Sequence, residues 1–86
     1  MVKTWIKQLD IVNKNSKINF DDIILDLLNL EFKNYDIKPL SWYNYSYRLR
    51  IWTYRIIFEN INNEVKILFI WKRWDVYKWL KNRNLR

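Results

Sequence analysis

The chain has 86 residues and a net charge of +7, and it contains no Gly, Cys or His. Its length predicts a single domain spanning residues 1–86, while the lack of Cys excludes disulfides and thiolate metal sites and the lack of His excludes imidazole chemistry. Because no apolar segment approaches the roughly 20 residues of a membrane span and no signal-peptide pattern is present, we expect a cytoplasmic protein without membrane, metal or cofactor.

A short helix is predicted at the N-terminus. Thr4 can cap it, and the polar stretch 13–17 ends it. Apolar residues follow helical spacing between these limits: Trp5, Leu9 and Val12. One face of this helix is therefore expected to pack on the rest of the domain.

A second helix has the strongest sequence support. Asn19 is a favourable N-cap, and the two carboxylates that follow suit the positive end of a helix dipole. An apolar stripe with i, i+3, i+4 spacing runs from Phe20 to Phe32. Residues 34–39 break the helix, since Pro39 biases the residue before it away from helical backbone.

From Tyr45 the hydrophobic period changes from helical to two. Arg48 and Arg50 alternate with Leu49 and Ile51, so that the guanidiniums point to one side and the aliphatic groups to the other. This alternation predicts a half-buried strand.

Two further strands and a final helix complete the prediction. Residues 54–59 are rich in β-branched and aromatic side chains, and residues 60–64 form a turn. Residues 65–71 are apolar on both faces and are therefore predicted to form a central strand. Asp75–Lys81 is predicted to be a short helix. Helices followed by an antiparallel meander indicate an α+β fold.

The positive charge is confined to the second half of the chain. Residues 1–47 balance six Lys with six acidic residues, whereas residues 48–86 have ten Arg and Lys against three acidic residues. One basic face for binding nucleic acid would give this distribution, as would a solvated basic surface.

These segments together resemble toxins of the RelE/ParE superfamily from toxin–antitoxin systems. The resemblance covers about residues 20–82 and rests on four segments in a fixed order: Pro39–Trp42, Tyr47–Phe58, Val65–Ile70 and Trp71–Tyr77. It implies a RelE-like fold, in which two N-terminal helices pack on a small antiparallel meander with a short C-terminal helix. The chain departs from the family at Met1–Thr4, which is too short for the usual N-terminal strand.

Trp stands at three positions where the family has Gly, namely Trp42, Trp52 and Trp71. An average composition would supply about six Gly, which matches the six Trp found here. We therefore interpret these residues as UGA codons that mean glycine in the source and are decoded as tryptophan. The Trp form is expected to be less toxic than a form with Gly at these positions. The alternative is that the indoles are true core or base-stacking residues.

Within the family, the RelE branch is favoured, and its members are endoribonucleases that cut mRNA in the ribosomal A site. The resemblance implies attack of a ribose 2′-hydroxyl on its own phosphate, which leaves a 2′,3′-cyclic phosphate. By position, Arg55 would clamp the phosphate, Arg73 would stabilise the transition state and Tyr77 would stack on the nucleotide. The remaining predicted contacts to the RNA backbone come from Arg48, Arg50, Lys72 and Lys78. The general base stays open because guanidinium remains protonated.

The implied partners are a small acidic RelB-like antitoxin, the ribosome and mRNA. Two other functions fit the same residues. A ParE-like toxin would inhibit gyrase through protein contacts and have no active site of its own. A non-catalytic RNA-binding module would bind RNA in a salt-dependent way without cleaving it.

Overall fold

The computed structural model describes residues 4–41, 44–76 and 78. Its elements in chain order are α1 (Thr4–Asn15), α2 (Phe20–Leu28), β1 (Asp36–Pro39), β2 (Ser46–Ile51), β3 (Tyr54–Ile61) and β4 (Glu64–Lys72). The four strands form one antiparallel sheet in the order β1-β2-β3-β4. The α+β class and the meander are therefore confirmed.

The second helix begins where the sequence predicts. The Asn19 side chain accepts a hydrogen bond from the Asp22 N–H at 3.3 Å, as an N-cap does. The helix ends at Leu28, before the predicted Phe32, because the chain enters a left-handed conformation at Leu30 with φ of 63°. Hydrogen bonds from Glu31 N to the Asp26 carbonyl and from Leu30 N to the Leu27 carbonyl close this end as a Schellman motif.

Strand β1 was not expected from the sequence. We predicted only a break over residues 34–39, but Asp36–Pro39 pairs with β2, with Asp36 opposite Arg50 and Pro39 opposite Tyr47. Pro39 is compatible with this strand because it is the last residue of a strand at the sheet edge, where a missing N–H disrupts little. The meander therefore has four strands.

The prediction that residues 65–71 form a central strand is wrong. β4 lies at the end of the described sheet and pairs only with β3. It is apolar on both sides because both sides are covered. Helices α1 and α2 contact it, and buried Val76 packs with Ile57 and Phe69 on the opposite face of the sheet.

The main core lies between the helices and the sheet. Its fully buried side chains come from both helices and three strands, and they include Phe20, Leu27, Leu49, Ile56 and Ile70. Burial of this apolar surface is the main stabilising term of the domain. Within the described ranges, no helix is long and apolar enough to cross a bilayer.

The two ends of the chain are described only in part. Residue Thr4 starts α1, and the predicted absence of an N-terminal strand concerns residues 1–3, which lie outside the described residues. Helical conformation begins at Arg73, two residues before the predicted Asp75, and continues through Val76 and at Lys78. This confirms a short C-terminal helix, and the rest of its predicted span lies outside the described residues.

Candidate nucleic-acid-binding face

The register of the sheet places three of the predicted arginines on one face. Arg50 pairs with Arg55, and Arg48 pairs with Ile57 in the next row. Residues paired across antiparallel strands project to the same side, so these arginines lie on the face opposite the helices. The predicted alternation is confirmed, since Leu49 is fully buried on the helix side.

An acidic residue joins this row of arginines. Asp36 lies directly opposite Arg50, and its Oδ2 is 2.7 Å from Arg50 Nε. Its Oδ1 is 3.6 Å from Arg48 Nη1, which is close enough for attraction but too long for a hydrogen bond. Arg50 is about half exposed, whereas Arg48 is mostly buried, and its Nη1 has no hydrogen-bond partner among the described residues. One carboxylate therefore neutralises part of a two-guanidinium cluster.

Arg55 is buried, with only 5% of its surface exposed. Its Nη1 donates to the Trp52 carbonyl at 3.0 Å and to the Tyr54 carbonyl at 2.8 Å. The side chain thus braces the turn between β2 and β3 from beneath. Its Nε is buried and has no hydrogen-bond partner in the described part of the chain, so the guanidinium retains donor capacity.

The turn braced by Arg55 consists of Trp52 and Thr53. Trp52 has φ of 55° and Thr53 does not have positive φ, a combination that a tight type II′ hairpin normally meets with Gly at the first position. The prediction that this turn requires a left-handed residue is therefore confirmed. The indole gains little from its position, because Trp52 is 80% exposed.

Arg73 is attached to the same turn. Its backbone N–H donates to the Thr53 carbonyl at 2.8 Å. Its guanidinium Cζ lies 4.3 Å from the centroid of the Trp74 ring, within the range of a cation–π contact. Both side chains are exposed, so a cation and an indole lie at the end of the sheet that bears the turn.

The other predicted site residues are not all brought to this face. Lys72 pairs with Tyr54 and so projects toward the helix side, where it lines a cavity with Ile11 and Val12 of α1. Lys78 is exposed. Tyr77 lies outside the described residues, as do Trp42 and Trp79. No cluster of three or more metal-ligating side chains occurs in residues 4–41, 44–76 and 78.

Trp71 differs from the two exposed indoles. It is partly buried and packs against both hydrophobic clusters, and it pairs with Arg55 across β3 and β4. The hypothesis that Trp71 and Trp52 replace glycines stays a prediction, since neither burial nor backbone angle reports on a codon.

Outside this face, one tyrosine has a perturbed acidity. The Tyr35 hydroxyl donates a hydrogen bond to Asp26, which links α2 to the segment before β1. Burial raises the pKa of Tyr35 to about 12, and the hydrogen bond and the nearby carboxylates of Asp26, Asp22 and Glu31 act in the same direction.

Asp36 is the residue of this face that the sequence interpretation missed. Its signal was the alternation of polar and apolar side chains from Asp36 to Lys38, which is typical of a strand. Pro39 outweighed that signal because proline usually interrupts a strand. Once β1 is paired with β2, the carboxylate falls opposite Arg50 without further assumptions.

Comparison with known proteins supports the fold. No protein-family model matches the sequence, and no curated protein matches it significantly. A chain in the crystal structure of the RelB–RelE antitoxin–toxin complex from Methanococcus jannaschii is similar in fold, with a TM-score of 0.69. The match covers 91% of this chain and 94% of that chain at 24% sequence identity. The RelE-like fold predicted from the sequence is therefore confirmed.

Proposed function

We propose that this chain is the toxin of a toxin–antitoxin pair and that it cuts mRNA in the ribosomal A site. The single observation that supports this most is the arginine-bearing sheet face, on a fold shared with a chain of the RelB–RelE complex. That complex joins an antitoxin to a toxin, and we infer that a RelB-like antitoxin is the partner here.

The proposed reaction is an internal transfer at phosphorus. The 2′-hydroxyl of one ribose attacks the adjacent phosphate, the bond to the 5′-oxygen of the next nucleotide breaks, and a 2′,3′-cyclic phosphate forms. The 2′-proton leaves to a base, and a proton is delivered to the departing 5′-oxygen. Such a reaction depends mainly on in-line positioning and on stabilising the negative charge of the phosphorane.

We assign the charge stabilisation to the exposed guanidiniums. Arg50 is half exposed beside the turn and can approach a phosphate, and exposed Arg73 retains the role in the transition state that the family resemblance implies. We expect Arg55 to act through the turn that it braces, because its Nη1 is already bonded to two carbonyls. Tyr77 keeps its proposed stacking role, and Lys72 and Lys78 are proposed to contact more distant phosphates.

The test is cleavage of a defined mRNA in a reconstituted translation system by the purified chain. We expect ribosome-dependent cuts with 2′,3′-cyclic phosphate ends that a co-expressed antitoxin suppresses. Arg73→Ala should lower the cleavage rate by at least about 100-fold, in line with loss of a preorganised charge in the transition state. Lys14→Ala, which removes an exposed cation from α1, serves as the matched control and should cleave normally.

Two outcomes would contradict the proposal. Growth arrest with DNA damage and intact mRNA, retained in Arg73→Ala, would indicate a ParE-like gyrase inhibitor. Salt-dependent RNA binding without any cleavage on ribosomes would indicate a non-catalytic RNA-binding module. The expected attenuation by Trp is tested in the same system, where glycine at positions 42, 52 and 71 should increase cleavage.

A further inference from the structure

Two exposed indoles flank the turn end of the basic face, and the proposed cleavage chemistry uses neither of them. Trp52 is 80% exposed and Trp74 is 70% exposed. We propose that Trp52 and Trp74, with the guanidinium of Arg73, form a stacking site for the bases of single-stranded RNA. This site would bind free RNA without the ribosome, and it adds a ligand to the proposed function without depending on cleavage.

The first argument is proximity of the two chain segments. The Arg73 N–H donates to the Thr53 carbonyl at 2.8 Å, so the turn and the start of the C-terminal helix are joined. Trp52 precedes Thr53, and Trp74 follows Arg73. The two indoles therefore project from adjacent backbone, at a spacing suited to neighbouring nucleotides of one strand.

The second argument is the pairing of aromatic rings with positive charge. Arg73 Cζ lies 4.3 Å from the Trp74 ring centroid, which places a planar cation against a planar ring at the surface. Exposed Arg50 lies one residue before Ile51, which pairs with Tyr54 to close the same turn. Proteins that bind single strands without reading sequence combine stacking rings with cations for the backbone in this way. An acidic strand fits this charge, whereas an uncharged apolar partner does not.

The third argument is the conformation of Trp52. Its φ of 55° is unfavourable for a residue with a Cβ atom, and its exposed indole recovers little of that cost through burial. Strain at an exposed position, held by Arg55 from beneath, is an observation that points to a ligand for the side chain.

The test measures binding of a short, labelled uridine oligonucleotide by fluorescence anisotropy, without ribosomes. A phosphodiester oligomer of the same length that lacks bases separates stacking from charge. Trp52→Asn keeps a residue that tolerates positive φ, and Trp74→Ala removes the second ring. Each should weaken uridine binding by at least about fivefold and leave binding of the base-free oligomer unchanged.

Tyr45→Asn is the matched control. Tyr45 also has positive φ, at 64°, and is 62% exposed, but it lies at the opposite end of β2. This variant should bind both oligomers normally. The proposal is overturned if the Trp variants bind uridine as the unmodified chain does, if they lose both oligomers equally, or if Tyr45→Asn loses as much affinity.

These outcomes are distinguishable from failure of the proposed function. Base-dependent binding without cleavage on ribosomes would retain the stacking site and reject the ribonuclease. Cleavage with no base-dependent binding would retain the ribonuclease and indicate that the indoles only replace glycines. The two measurements use the same purified protein under separate conditions.

Discussion

Replacing Trp52 by Gly should make the protein more stable. A left-handed backbone costs a residue with a Cβ atom about 1–2 kcal/mol, and the φ of 55° places Trp52 in that region. Gly returns about 0.5–1 kcal/mol of this because its unfolded chain is more flexible. Since the indole is largely exposed, little burial is lost. The net expectation is about 0.5–1 kcal/mol in favour of the folded state.

Urea denaturation of the unmodified chain, Trp52→Gly and Trp52→Ala measures this effect. Ala removes the indole but keeps Cβ, so it should show no gain and should be less stable than Gly by about 1 kcal/mol. At constant m value the Gly midpoint should rise, and the melting temperature should increase by a few degrees, at about 4–8 °C per kcal/mol for a domain of this size. Equal midpoints for Gly and Ala would refute the backbone argument and assign any gain to loss of the indole.

Three further outcomes are expected. Asp36→Asn should tighten binding of single-stranded RNA and steepen its salt dependence by about 0.7 in log–log slope for each phosphate gained, whereas Asp10→Asn on α1, which makes the same charge change, should do neither; equal effects would mean that only net charge matters. Leu30→Gly should stabilise the protein by less than about 1 kcal/mol in urea denaturation, since φ of 63° favours Gly and the side chain, 38% exposed, gives up only part of its burial; a loss of stability would contradict the strain. In ultraviolet titration, Tyr35→Phe should remove one tyrosine that ionises near pH 12; because the folded pKa exceeds the ordinary value of 10.0, the stability from this group is complete below pH 10 and lost as pH rises through 12. No late tyrosine in the unmodified chain would contradict the assignment.

Much of the fold could be predicted because local signals agreed with each other. The cap at Asn19 and the apolar stripe after it fixed α2, and the alternation around Leu49 fixed β2 and its faces. The turn at Trp52 was predicted from the glycine preference of tight hairpins. In each case the same few residues specify both the element and its orientation.

The errors have physical causes. Apolar residues on both sides of β4 report that both faces are covered, but they do not report how many strands lie beside it. The orientation of Arg55 could not be predicted from sequence either. Strand alternation gives the face on which a side chain lies, whereas the inward turn of this guanidinium depends on two carbonyls that only the folded hairpin presents.

The hydrogen bond from Arg73 to Thr53 also provides a clock for the C-terminal segment. An amide in such a bond exchanges its hydrogen with solvent only when the segment opens. A partner that lifts residues 73–76 from the sheet would expose this amide and release the turn that Arg55 braces. The exchange rate at Arg73, measured with and without a partner, therefore reports how often the basic face and its neighbouring indoles lose their common support.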